Sequence, residues 1–212
     1  ISSLYNGARF IVAGTPSGVS LAPEGGAHQS TITPSVGIEM PDLSFCEPAF
    51  AQEVDWLLTD AIGRLVPADG ESTYLRLSTR PLDQTPFADA LDRYGSDVLR
   101  DLVVSGGYRL IEPEGSEGPA VIIVASGAVI PEAVEAAQEL KSEGVDATVV
   151  SVTAAGRLFR SWKQSIGSIE NGQLVRKAGH LDTLIPLSER DCPIVSVHDG
   201  ASHSLAWIGS AI

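Results

Sequence analysis

The sequence predicts an α/β protein whose strands are mainly parallel. Three observations carry that expectation. Apolar runs of seven or eight residues recur at 8–14, 120–127 and 146–153, as they do in strands covered on both faces. Apolar residues at spacings of three and four mark helices between such runs. Residues 120–153 read strand, helix, strand, a unit whose two strands run parallel.

Each element has a local cause. The run "ARFIVAG" (8–14) is closed by a glycine and reads as a strand buried on both faces. Residues 15–41 are rich in Gly, Ser, Thr and Pro and show no period; a loop of that length inside a compact domain is usually functional. "LSFCEPA" (43–49) opens as a strand. A helix follows over 48–65, where Phe50, Val54, Leu57, Leu58, Ala61, Ile62 and Leu65 make one apolar face. Glu47 and Pro48 suit its first turn by charge and by fixed φ. "STYLRLSTR" (72–80) alternates like a strand, and a weaker helix is expected near 87–103. "GGYRLIEPEGSEGP" (106–119) reads as a connection between domains that contains a short strand. The second unit has strands at 120–127, 146–153 and 192–200 and helices at 130–144 and 156–166; "SHSLAWIGSAI" (202–212) opens a last helix or strand. The expected domains are 1–83 and 119–212, joined by a linker at 84–118.

Composition excludes several classes. The 212 residues are 43% apolar and 19% charged, ordinary for a globular protein. A net charge of −13 with no basic stripe argues against nucleic-acid binding. No apolar run reaches the length of a membrane helix, and no signal peptide is visible. Cys46 and Cys192 lie far apart without metal-ligand spacing, as for two thiols in a reducing cytosol, and a cytoplasmic location is expected. The chain lacks an initial Met and closes on an apolar run, so it is expected to be a piece of a longer protein.

Among chemical candidates, "APEGGAHQS" (22–30) leads. It sets Glu24 and His28 four apart on a loop with almost no side chains between them. An imidazole there suits a general acid or base, or a donor to an anionic substrate, with Glu24 tuning it. "GTPSG" (14–18) follows a strand but lacks a full phosphate-binding fingerprint and reads as a tight turn. "HDGASH" (198–203) sets Asp199 between two histidines, at spacings that fit no metal pattern, and reads as a solvated turn. Trp56, Trp162 and Trp207 are expected in the core.

The acid-Gly-x-x-His pattern of Glu24, Gly25 and His28 is followed by Pro41-Asp42, a strand at 43–45 and the helix start Pro48-Ala49-Phe50. This block resembles the thiamine-diphosphate-dependent transketolase superfamily, and within it the homodimeric decarboxylase component of the pyruvate dehydrogenase complex. "LVVSGGYRLIE" (102–112) and "HDGASHSLAWIGS" (198–210) extend the resemblance over most of the chain.

The resemblance implies a partial pyrimidine-binding domain followed by a truncated transketolase-type C-terminal domain. In such enzymes the cofactor adds to the 2-oxo carbon, carbon dioxide leaves, and the acyl group passes to a lipoyl group of a partner acyltransferase. The resemblance places His28 against the reacting carbon, with Glu24 as its partner, and the loop glycines let the backbone pass close to the cofactor. It implies a homodimer, pyruvate as the expected 2-oxo acid, and thiamine diphosphate with magnesium as cofactor. The family's Gly-Asp-Gly motif for the diphosphate and magnesium is not in this sequence, so this chain supplies no metal ligand and is expected to be inactive alone. Two rival readings stand beside it: a non-catalytic scaffold of the same fold, and a sugar-phosphate transketolase. The second needs basic residues for the phosphate, and none falls between Arg9 and Arg64.

Overall fold

The computed structural model describes all residues except 1, 16–17, 27–28, 114–117, 171 and 212. Among the described residues the strands form three sheets. The first has the order β1 (Ile11–Gly14), β3 (Ser72–Arg76), β2 (Leu43–Cys46), all parallel. The second has the order β4 (Gly107–Ile111), β6 (Ala147–Val152), β5 (Val121–Ala125), β9 (Ile194–Val197). Only β4 runs antiparallel in it. A small hairpin joins β7 (Ser168–Glu170) to β8 (Gln173–Val175). The α/β class with mainly parallel strands is therefore observed.

Helices cover these sheets. They are α1 (Ser2–Tyr5), α2 (Thr33–Glu39), α3 (Ala51–Gly63), α4 (Thr85–Tyr94), α5 (Ser96–Ser105), α6 (Ile130–Ser142), α7 (Ala155–Ser165), α8 (His180–Leu184) and α9 (His203–Ala206). The start of α3 is fixed by its own sequence. Glu53 turns back so that its Oε2 accepts from the backbone N–H of Ala49 at 2.7 Å and Phe50 at 3.0 Å, satisfying donors the helix leaves open. The crossover β5–α6–β6 is the βαβ unit expected from 120–153.

Two hydrophobic cores hold the sheets, and each draws on both. One joins Cys46, Phe50, Leu57 and Leu75 to Tyr108, Leu110, Ile123 and Val149. The other joins Ile38 and Phe45 to Ile122, Val124, Val150, Leu158 and Leu205. The three tryptophans pack at core margins, Trp56 on Phe87 and Trp162 on Trp207.

Several expectations change. β1 is not buried on both faces: Val12 is 44% exposed, whereas β2, the other edge of the same sheet, is buried throughout, because an apolar run does not reveal what packs over a strand. The segment 15–41 is not all loop. It holds a 3-10 turn, Val19–Glu24, and α2, whose Thr33-Pro34 start fixes its first turn. The single helix near 87–103 is two helices, α4 and α5, because Gly95 takes φ +76° between them. The strand inside the connecting segment is β4, hydrogen-bonded along β6. No helix among the described residues is long and apolar enough to cross a membrane.

Candidate functional site

The parallel strands determine where side chains can converge. In open parallel sheets, ligands bind beyond the carboxyl ends of the strands. Here both sheets turn those ends toward one seam. Glu47 follows β2, Arg76 ends β3, Ser126 follows β5, and His198 and Asp199 follow β9. Backbone already joins the sheets there: the N–H of Glu47 donates to the carbonyl of Thr153, just past β6, at 2.8 Å.

The side chains complete the junction. The Glu47 carboxylate is ion-paired with the Arg76 guanidinium, with both side chains almost fully buried. His198 Nε2 donates to Glu47 Oε2 at 2.8 Å, and Ser126 Oγ donates to the same oxygen at 3.3 Å. Burial pushes the Glu47 pKa up, but the hydrogen bond and charge of His198, with those of Arg76, outweigh it and hold the carboxyl below its ordinary value. The seam therefore keeps a buried carboxylate charged. Gly127 sits against it: a Cβ there would lie 2.8 Å from Glu47 Cγ, and its φ of +59° also favours glycine. His198 Nδ1 is buried without a hydrogen-bond partner among the described residues.

Residues on either side of Glu24 and His28 are tied to this cluster. Asp199 accepts from the Ser20 backbone N–H at 2.6 Å and from Ser20 Oγ at 2.5 Å. Arg76 Nη2 donates to the Asp199 carbonyl at 2.8 Å and reaches the Ser30 carbonyl at 3.4 Å. The Ala201 N–H donates to the Thr31 carbonyl at 2.9 Å. His28 and the side chain of Glu24 lie outside the described residues; Glu24 closes the 3-10 turn Val19–Glu24.

Two sequence expectations are corrected here. Glu47 is not simply a helix-start charge but the centre of the buried cluster. The 198–203 turn is solvated only in its second half: Asp199 is 4% exposed, whereas Ser202 and His203 are exposed. His203 begins α9 and is exposed, while His180 Nε2 meets the Gly107 carbonyl at 2.7 Å, away from the seam. A usable signal existed in the sequence. Glu47, Ser126 and His198 fall near the ends of expected strands, where parallel sheets place sites, whereas Arg76 falls in the middle of the strand expected at 72–80, although β3 itself ends at Arg76. Among the described residues no group of three or more His, Cys, Asp and Glu could hold a metal ion.

These features define an α/β protein with the fold of the transketolase C-terminal domain. Residues 106–207 match the family described as the transketolase-like TK C-terminal domain. The chain is 29% identical over 152 residues to the pyruvate dehydrogenase E1 component of Escherichia coli, and 30% identical over 154 residues to that of Mycobacterium tuberculosis. Each match covers 71% of this chain, which spans only 16% of the length of either relative. Transketolase 1 of Candida albicans is 30% identical over 138 residues, covering 65% of this chain and 18% of that protein. Among solved structures, a transketolase from Pichia stipitis superposes with a TM-score of 0.65 at 23% identity, covering 91% of this chain and 23% of that one. The transketolase from Campylobacter jejuni gives 0.63 at 22% identity, covering 93% and 25%. These two show the fold alone.

Proposed function

We propose that this chain forms one wall of the active site of a thiamine-diphosphate-dependent 2-oxo acid dehydrogenase, acting on pyruvate and passing its acyl group to a lipoyl-acyltransferase. The observation that carries this reading is the seam. The parallel strands of both sheets end there, and Ser20 and Thr31, which flank Glu24 and His28 in sequence, are tied to it. His28 acts as donor to the substrate carboxylate or to the oxygen that gains charge, with Glu24 orienting it. The enzyme is a cytoplasmic homodimer, residues 1–83 belong to the pyrimidine-binding domain, and residues 119–212 to the C-terminal domain.

The described residues do not fit the diphosphate and magnesium end of the cofactor. Arg76, a cation at the seam, is held by Glu47 and Asp199, and no metal-binding cluster accompanies it among the described residues. That end must be bound by other parts of the whole protein, and the chain alone is expected to be inactive. A sugar-phosphate transketolase is the second reading, favoured by the likeness to Transketolase 1 of Candida albicans.

The test is the whole protein, supplied with thiamine diphosphate and magnesium and offered 2-oxo acids and ketose phosphates in parallel. Decarboxylation of pyruvate is expected, and His28→Ala should lower it by about 100-fold or more. Turnover of ketose phosphates alone would select the second reading. A wild-type protein without activity on either class, or a His28→Ala variant with an unchanged rate, would leave the chain a non-catalytic scaffold.

A further inference from the structure

We infer that Asp199 is a positioning residue: from the second sheet it clamps the loop that the first sheet carries across the seam. The inference rests on the proposed function for its catalytic consequence, and on geometry alone for the clamp.

The loop from Ser20 to Thr31 is held at both ends by one turn, residues 198–201. At the entry, Asp199 takes two donors from Ser20, its backbone N–H and its hydroxyl. Two short bonds from one residue to one carboxylate fix orientation as well as distance. Contact there is close enough to exclude any side chain on the neighbouring residue: a Cβ on Gly18 would lie 2.1 Å from the Asp199 carbonyl oxygen. At the exit, the Ala201 N–H holds the Thr31 carbonyl. Arg76 ties the two ends together, donating to the Asp199 carbonyl and reaching the Ser30 carbonyl. Glu47 holds Arg76 in turn, and Glu47 is itself held by His198 and Ser126 of the second sheet. Between these anchors the described residues add the buried side chain of Leu21, next to Ser20, and the Gln29 N–H on the Gly26 carbonyl. Cβ atoms on Gly25 and Gly26 would meet nothing within 4 Å. The loop's placement therefore depends on the anchors, and all but Arg76 and Glu47 come from the second sheet. A loop of this kind sets the reach of its side chains, and a shift of about 1 Å in a reacting group costs about 100-fold in rate.

The experiment uses the whole protein with Ser20→Ala, Asp199→Asn and Asp199→Ala. Ser20→Ala removes one of the two bonds and keeps the fold testable if Asp199→Ala does not fold. Hydrogen exchange is read at residues 18–31, and kcat and KM are measured with thiamine diphosphate affinity and thermal midpoint. The clamp predicts faster exchange confined to 18–31, graded Asp199→Ala above Asp199→Asn and Ser20→Ala. It predicts kcat lowered by about 100-fold in Asp199→Ala with cofactor affinity nearly unchanged, and no further loss in the Ser20→Ala, Asp199→Ala double variant. Unchanged exchange at 18–31, or equal increases across both sheets, would overturn the clamp. Faster exchange at 18–31 with unchanged kcat would overturn its positioning role. Should the wild type prove inactive, exchange still decides the clamp, and the proposed function falls separately.

Discussion

Glu53 is a carboxyl buried completely among neutral donors, and replacing it tests what holds the two sheets together. Its Oε2 accepts the Ala49 and Phe50 N–H groups at the start of α3, and its Oε1 accepts the Tyr108 hydroxyl of β4 at 2.8 Å. One side chain thus starts a helix of the first unit and grips a strand of the second sheet. Burial pushes its pKa up, and the hydrogen bonds from Phe50, Tyr108 and Ala49 only partly oppose the rise. The folded state then binds the proton more tightly than the unfolded chain. Stability contributed by this group is greatest at low pH, falls as pH rises through the ordinary carboxylate range, and levels off above the folded-state pKa. Glu53→Gln copies the neutral form: its carbonyl accepts from the backbone and its amide donates to Tyr108. It should therefore match or exceed the wild type at neutral pH and remove this part of the pH slope. Glu53→Ala should cost about 3 kcal/mol: about 1 kcal/mol for the lost helix start, and about 2 kcal/mol for the buried Tyr108 hydroxyl left without its acceptor. For a chain of this size that is a drop of about 6–12 °C in thermal midpoint. Urea unfolding followed upward in pH from the ordinary carboxylate range measures both effects. The Glu53→Ala, Tyr108→Phe double variant should recover part of the loss, because the orphaned hydroxyl is gone. If Glu53→Gln destabilises as much as Glu53→Ala, or keeps the wild-type slope, the assignment of Glu53 as a cross-sheet bond with a raised pKa is wrong.

Arg76→Met leaves the Glu47 carboxylate buried without its guanidinium partner and should cost about 3–5 kcal/mol by urea unfolding, with Glu47→Gln, Arg76→Met milder than the single change. Because the Glu47 pKa is held down, its stabilisation is present above the ordinary carboxylate range and is lost as pH falls through the lowered value, so acid unfolding of Glu47→Gln should be flatter than that of wild type. Gly18→Ala presses a methyl onto the Asp199 carbonyl and should cost about 1–3 kcal/mol, read by thermal unfolding. Gly26→Ala faces open space, and its thermal midpoint should correspond to within about 0.5 kcal/mol of wild type, while Gly25→Ala at φ +94° should cost about 1 kcal/mol.

The sequence by itself determined the class of the protein. Runs such as 120–127 and 146–153 and the periodic helix between them encode a βαβ unit locally, because burial on both strand faces and on one helix face leaves a pattern in the order of residues. The start of α3 was less legible: Glu47 and Pro48 suit a first turn, but the helix begins at Ala51 and Glu53 is the acid that turns back to the backbone. The sequence also singled out the loop bearing Glu24 and His28 through its unusual composition. Tertiary structure alone decided what that loop rests on. Glu47 looked like a helix-start charge and Asp199 like a turn residue, since each is ordinary among its neighbours in sequence. Their partners stand 29 and 179 positions away, Arg76 for Glu47 and Ser20 for Asp199. Strand order also lay beyond the sequence. Whether an apolar run becomes a central strand like β5 or an edge like β1 depends on which neighbours pair with it, and those pairings are contacts between distant segments that no local pattern records.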